Sequence, residues 1–183
     1  MPSIVALLRG VNVVGKNKLP METLRILCEE LKLRRVATYI QSGNVVFEVP
    51  ARTSLNRLAV RLELAIEAEC GFRPAVLLRT AAELRRVVQG NPFPAEAASE
   101  PQKLLVTFLR EPAPVAYLDR LSALREAFPE RVEVRGLESY TFFPDGQGKT
   151  KLPLASLERA LGAPCTARNW NTVLKLLEMA EAE

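Results

Sequence analysis

One phrase occurs twice in this chain. Residues 15–24 read GKNKLPMETL and residues 148–157 read GKTKLPLASL, identical at six of ten positions. In each copy an apolar, strand-like run comes first. A glycine and two lysines follow, and a proline then opens a helical pattern. Proline suits the first helical position because no intrahelical N–H bond is lost there. Each copy therefore sets two lysines just ahead of a helix N-terminus, Lys16 and Lys18 in one and Lys149 and Lys151 in the other. Free N–H groups and the helix dipole favour anions at such a place. A phosphate or carboxylate site, present twice, is the expectation; the other reading is a helix-start device with solvated lysines.

The rest of the chain falls into order around the two copies. Ile4 to Leu8 suits a buried strand, and Met21, Leu24, Leu27, Cys28 and Leu31 then recur with helical spacing. Val36 to Ile40 and Val45 to Val49 read as strands, joined as a hairpin by Gln41-Ser42-Gly43-Asn44. Leu55, Leu58, Leu62 and Ile66 mark a second helix, capped by Thr53 or Ser54 and ended by Gly71. Ala75 to Leu78 is a fourth strand, and Thr80-Ala81-Ala82-Glu83 is a capping box opening a third helix. This is the order of a split βαβ, ferredoxin-like unit, and the hairpin excludes a helix-only bundle.

Residues 91–101, NPFPAEAASEP, lack periodicity and read as a linker between an N-terminal subdomain, 1–90, and a C-terminal one, 102–183. In the second half, Lys103 to Leu109 is a strand, and Val115, Leu118, Leu121, Leu124 and Phe128 form a helical stripe. Val132 and Val134, then Tyr140 to Phe143, are two more strands, with a turn at Pro144-Asp145-Gly146. A helix begins at Pro153, and a last one sets Trp170, Val173, Leu174 and Leu177 on one face. The second half thus repeats the first with its fourth strand replaced by helix. The fold class expected is α+β, a tandem duplication of ferredoxin-like subdomains. The two phrases then occupy strand-to-helix crossovers related by the internal pseudo-twofold, each at a strand's carboxyl end.

The chain has no histidine, which removes His-based triads, His metal sites and imidazole switches. Cys28, Cys70 and Cys165 are scattered and odd in number, which speaks for a reducing compartment; Cys28 falls on the apolar face of the first helix. The segment MPSIVALLRG lacks a basic n-region and is too short for a membrane span, so a cytoplasmic protein with no membrane partner is expected. The net charge of +4 permits a polyanionic partner without requiring one. GVNVVGKNK lacks the glycine spacing of a Walker loop and the Ser/Thr after its lysine. Ser42 has no base placed to activate it, and Glu22, Glu48 and Asp145 form no metal-like cluster. No catalytic residue, metal or cofactor is expected.

Four polar stretches remain as candidates. Arg9 and Asn12 end the first strand beside Lys16, Asn17 and Lys18. Gln41, Ser42 and Asn44 either make a tight turn or present amides to a base edge or sugar. Asp145 to Lys151 carries the second phrase. Thr166 to Thr172 combines Arg168, Asn169 and Asn171 with Trp170, whose helical neighbours argue for a place in the core. The stretches LLRGVNVVGKNKLPMETLR, TYIQSGNVVFE, FPDGQGKTKLP and TARNWNTVLKLLE resemble the successive signatures of the bacterial domain-of-unknown-function 1697 family. The likeness runs over nearly the whole chain. It implies an α+β tandem duplication, in agreement with the pattern above, and no activity. Val14 stands where that family commonly has a second glycine, which implies a stiffer first loop. The leading functional expectation is non-catalytic binding of a phosphate-bearing ligand, nucleic acid or nucleotide. An enzyme on a phosphorylated small molecule, using lysine and arginine electrostatics, is the second. An interaction protein without ligand is the third.

Overall fold

Two runs of alternating strands and helices, each closing on its own antiparallel sheet, make up the chain. The computed structural model describes residues 1–183 except 116, 117, 153, 163 and 183, and the side chains of 118 and 154–156 are likewise not described. The strands are β1 (Ser3–Leu8), β2 (Arg34–Tyr39), β3 (Asn44–Glu48), β4 (Val76–Thr80), β5 (Leu104–Leu109), β6 (Arg131–Arg135), β7 (Glu138–Phe142) and β8 (Cys165–Asn169). The helices are α1 (Met21–Glu30), α2 (Leu55–Cys70), α3 (Ala81–Gln89), α4 (Pro94–Ser99), α5 (Leu118–Ala127), α6 (Leu154–Leu161) and α7 (Trp170–Glu181). The fold is mixed α+β. It divides into unit 1, Met1–Arg86 with Lys175–Glu183, and unit 2, Val87–Leu174.

In unit 1 the sheet order is β2-β3-β1-β4, and every neighbour is antiparallel. β1 is an unbroken apolar run because both its faces are covered: Ile4, Ala6 and Leu8 are buried, and so are Val5 and Leu7. Ile4, Ala6 and Leu8 join Val45 and Phe47 of β3, Leu24 and Leu27 of α1, and Leu58, Leu62 and Ile66 of α2 in one cluster. Each such aliphatic side chain contributes about 1.5–3 kcal/mol on burial. Gly71, at φ 75°, ends α2 and donates its N–H to Glu67 O at 2.9 Å. Glu63 sits on the buried side of α2 and accepts from the Val76 N–H at 3.0 Å and from Arg73 at 3.1 Å, tying the helix to the start of β4. The Thr80–Glu83 capping box forms as the residue pattern indicates, with the Glu83 N–H on Thr80 Oγ1 at 3.1 Å and the Thr80 N–H on Glu83 Oε2 at 2.8 Å.

Unit 2 has the same relative order, β6-β7-β5-β8, again antiparallel throughout. The pairings of its central strand β5 match those of β1: Ala6 opposite Val45 corresponds to Thr107 opposite Ser139, and Leu8 opposite Val76 to Leu109 opposite Cys165. The register shift between Arg34 and Ala37 at the β2 edge has no counterpart in β6. Bonds past the strand ends match too. The Leu8 N–H reaches Gly43 O at 2.9 Å and the Leu109 N–H reaches Leu137 O at 2.8 Å.

Several expectations need correction. The fourth strand of the second half is not replaced by helix: Cys165–Asn169 is β8. Its sequence shows no apolar alternation because one buried position is Arg168, which donates to Thr166 Oγ1 and Ala167 O among its partners. Residues 91–101 hold α4 and the start of a 3-10 turn, Pro101–Lys103, so this stretch is more ordered than an aperiodic linker. Phe93 there is buried, with the Arg131 guanidinium 4.9 Å from its ring centroid and equally close to that of Phe142. Pro20 is the N-cap of α1 and not its first helical residue; Pro153 lies outside the described residues. On α7 the buried face is Trp170, Val173, Leu176 and Ala180, and Leu174 is exposed. Val115 stands exposed ahead of α5 and does not share its buried stripe.

The two phrases follow the carboxyl ends of β1 and β7, each leading to a helix, as expected. The first leaves β1 beside the start of β3, since Leu7 faces Asn44; the second leaves β7 beside the start of β5, since Leu104 faces Phe142. Carboxyl ends alternate in an antiparallel sheet. In the strand order that the units share, the phrases therefore occupy opposite ends of their sheets.

Candidate functional site

The β1–α1 loop, residues 9–20, is held by its own asparagines. Asn12 takes a left-handed φ of 54°, which Asn tolerates better than most residues. Its Oδ1 accepts from the Leu19 N–H at 2.9 Å, and its Nδ2 donates to Leu19 O at 2.9 Å and to Gln41 O at 2.8 Å. Asn17, at φ 52°, donates from Nδ2 to Gly10 O at 2.9 Å, and its own carbonyl receives the Asn12 N–H at 3.0 Å. Between them Val13 to Lys16 closes a tight turn, with the Lys16 N–H on Val13 O at 2.9 Å. Its central residues Val14 and Gly15 have φ of 46° and 74°, the pattern of a type I′ turn. Val14 is β-branched and strained there, and its side chain is 95% exposed.

The β2–β3 turn lies against this loop. Gly43 has φ 73°, and a Cβ at that position would come within 2.4 Å of Val11 Cγ2 and 2.8 Å of Leu8 Cβ. Asn44 is fully buried and donates to Tyr39 O at 3.1 Å and Ser42 Oγ at 2.9 Å. Ile40, also β-branched and at φ 47°, is half exposed. The structure thus brings Arg9, Asn12, Lys16, Asn17, Lys18, Gln41, Ser42 and Asn44 to one end of the unit 1 sheet. The amides of Asn12, Asn17 and Asn44 are spent on the backbone, as is the Gln41 carbonyl. What remains outward are Arg9, the Gln41 side chain, and Lys16 and Lys18, neither of which has a side-chain partner among the described residues. Glu22 occupies the first turn of α1 and pairs with Arg25, which holds its carboxyl below the usual range. The helix start therefore carries a carboxylate already, and the positive field at this loop comes from the lysines.

In unit 2, Lys149 and Lys151 are exposed and without partner among the described residues. Thr150 between them bonds to Glu130, and its Oγ1 accepts the Leu152 N–H at 3.0 Å. Leu19 and Leu152, shared by the two phrases, are both buried. Asn169 is the cap of α7: its Oδ1 accepts the Asn171 N–H at 3.1 Å, and its Nδ2 reaches Gln102 O at 3.0 Å. Arg168 is 7% exposed and donates to Thr166 Oγ1 at 2.8 Å and Ala167 O at 2.7 Å, and burial lowers its pKa to about 10. Trp170 is core, at 5% exposure. Asn171 is exposed. β7 and β8 run the same way, both being antiparallel to β5. The second phrase and the Asn169–Asn171 corner consequently flank one end of β5.

A cavity of about 260 Å³ in unit 1 is lined by Ser3, Arg35, Glu48 and Met179 among others, at the amino end of β1 and away from the loop. Arg35 and Glu48 pair there at 3.2 Å. Among the described residues no helix is long and apolar enough to cross a membrane, and no group of three or more His, Cys, Asp or Glu could hold a metal ion.

The class of protein so defined is an α+β chain of two antiparallel four-stranded sheets with an exposed basic loop. The model of a family described as a protein of unknown function, DUF1697, matches residues 1–140, and the chain belongs to that family. A solved structure, that of the conserved bacterial protein SP0830 from Streptococcus pneumoniae, is similar at 24% identity with a TM-score of 0.72, covering 98% of this chain and 99% of that one. This likeness speaks to the fold. The curated proteins give no match.

Proposed function

We propose that this protein binds a phosphate-bearing polyanion, nucleic acid foremost, through the β1–α1 loop, without catalysing a reaction on it. The observation that carries the reading is the construction of that loop. Five left-handed residues, Gly10, Asn12, Val14, Gly15 and Asn17, and the amides of two asparagines hold Lys16 and Lys18 outward with no protein partner among the described residues. Backbone strain that packing does not require is a mark of functional sites. Lysines held in fixed positions attract phosphate by charge and lose less freedom on binding than lysines on a floppy loop. The second phrase contributes less, because the Glu130 carboxylate bonded to Thr150 offsets part of its field. We further infer that the two units are tandem copies of one ferredoxin-like, split βαβ module joined across 91–101. Equal strand order and the matched pairings of β1 and β5 support that reading, and free Cys28, Cys70 and Cys165 suit a bacterial cytoplasm.

The test is a titration of inorganic phosphate, nucleotides and short oligonucleotides at low and high salt against three proteins. Lys16→Ala/Lys18→Ala weakens oligonucleotide binding and lowers the salt slope by about one unit for each phosphate no longer neutralised. Lys149→Ala/Lys151→Ala has the smaller effect. Salt-insensitive affinity equal in all three, or no binding by any, refutes the reading.

A further inference from the structure

The β1–α1 loop is apolar at its tip as well as basic. Its Val11 and Leu19 turn inward and are buried, but Val14 is 95% exposed and Val13 about half exposed. Ile40 is also about half exposed, in the β2–β3 turn that Asn12 ties to this loop through Gln41 O. Val14 and Ile40 are β-branched residues in the left-handed region, at φ 46° and 47°. Asn or Gly would take either position with less strain. Packing asks for neither side chain, so what they meet outside the protein is the better account of them.

The apolar and charged groups share one short turn. Val13 bridges to Lys16, Lys18 follows two residues on, and residues 9–20 contain no acidic side chain. The Gln41 amide is exposed next to Ile40 and has no side-chain partner among the described residues. An occupant that matches these groups is anionic, carries apolar faces close to its charge, and offers donors and acceptors to an amide. Polyphosphate meets only the first condition. A duplex keeps its base faces stacked inside and shows only edges and backbone. An anionic lipid surface meets the first two, but residues 9–20 and 40–43 hold no Trp or Tyr to sit at a headgroup boundary. Unstacked bases beside their own phosphates meet all three.

We propose that, within the polyanion reading on which this rests, the ligand of the loop is single-stranded nucleic acid. Lys16 and Lys18 meet its phosphates, Val13, Val14 and Ile40 pack on the faces of unstacked bases, and the Gln41 amide reaches a base edge. Aliphatic packing accepts any base face, so the loop prefers single strands over duplex with little choice of sequence.

The test substitutes Val14→Asn/Ile40→Asn. Asparagine suits the left-handed backbone, so the turns and the net charge are kept while the apolar tip is lost. Anisotropy titrations at several salt concentrations use a short single strand, the same sequence as duplex, and inorganic polyphosphate. The parent protein binds the single strand at least several-fold tighter than either competitor. Val14→Asn/Ile40→Asn loses that preference with an unchanged salt slope, because no phosphate contact is removed. Lys16→Ala/Lys18→Ala does the reverse, lowering the slope and keeping the preference. Val14→Asn alone, at an exposed position, carries the same readout if the double variant is unstable. Equal affinity for all three probes, or a single-strand preference that survives Val14→Asn/Ile40→Asn, overturns this inference and leaves the polyanion reading standing. No binding of any probe overturns both. Phosphatidylglycerol vesicles bound by the parent and released by Val14→Asn/Ile40→Asn, with no single-strand preference, assign the tip to a membrane and overturn the inference as well.

Discussion

Replacing Gly43 by alanine separates two costs that are usually confounded. Gly43 and Gly10 share a left-handed backbone, with φ of 73° and 66°, yet differ in surroundings: a Cβ on Gly10 meets nothing within 4 Å, while one on Gly43 meets Val11 and Leu8 at 2.4 and 2.8 Å. The left-handed conformation costs an L-residue about 1–2 kcal/mol. Loss of glycine's freedom in the unfolded chain returns about 0.4–1 kcal/mol. Gly10→Ala should therefore destabilise by about 1 kcal/mol. Gly43→Ala adds overpacking of about 1–3 kcal/mol, because one neighbour is a Cβ fixed to the central strand and cannot swing aside. Any retreat of the turn also stretches the 2.9 Å bond from the Leu8 N–H to Gly43 O, worth about 1 kcal/mol. The expected total is about 2–5 kcal/mol. Urea unfolding followed by far-ultraviolet circular dichroism measures both variants. If Gly43→Ala costs no more than Gly10→Ala, the close approach of turn and loop is wrong.

Trp170→Ala should cost about 3–5 kcal/mol, as large buried truncations do; a thermal melt showing little change would place the indole at the surface instead. Stability should also fall in alkali. Burial pushes the Cys28 thiol up to about 12 from a usual 9.0 and raises the Tyr140 hydroxyl as well. The folded state keeps these protons after the unfolded state has lost them, so their contribution is complete below pH 9 and is lost as pH climbs toward 12, at up to about 1.4 kcal/mol per pH unit for each group. Denaturation at stepped pH reads the slope, and Cys28→Ala should flatten it; an unchanged slope refutes the assignment to Cys28.

What could be read in advance followed from local chemistry. The Thr80–Glu83 box, the Gly71 terminator and the β2–β3 hairpin each depend on residues a few positions apart, and each formed as their types indicate. β8 escaped because Cys-Thr-Ala-Arg-Asn offers no apolar alternation, and its buried Arg168 donates to Thr166 Oγ1 and Ala167 O of the same strand. The candidate site was legible as a cluster and less so as a set of roles. Asn12, Asn44 and Asn169 attracted notice as amides, but an amide free to meet a ligand and one spent on a loop carbonyl look alike until the carbonyl, Gln41 O or Gln102 O, is seen to arrive from far along the chain. Glu63 and Glu130 were hidden for a related reason. A carboxylate on a helix, or just ahead of a strand, reads as solvated decoration, and only packing reveals which ones turn inward.

Residues 175–183 belong to unit 1, although 87–174 intervene. Glu181 pairs with Arg85 at 2.7 Å, and Met179 and Ala182 share a cavity wall with Ser3 and Val46. The first unit therefore cannot finish folding while the ribosome is still making the second. Its sheet and two covering helices must wait as an incomplete body until the last turns of α7 emerge. Contacts of such sequence separation slow the search for the native state, and a nascent chain stalled before Lys175 would expose the part of the sheet those turns cover.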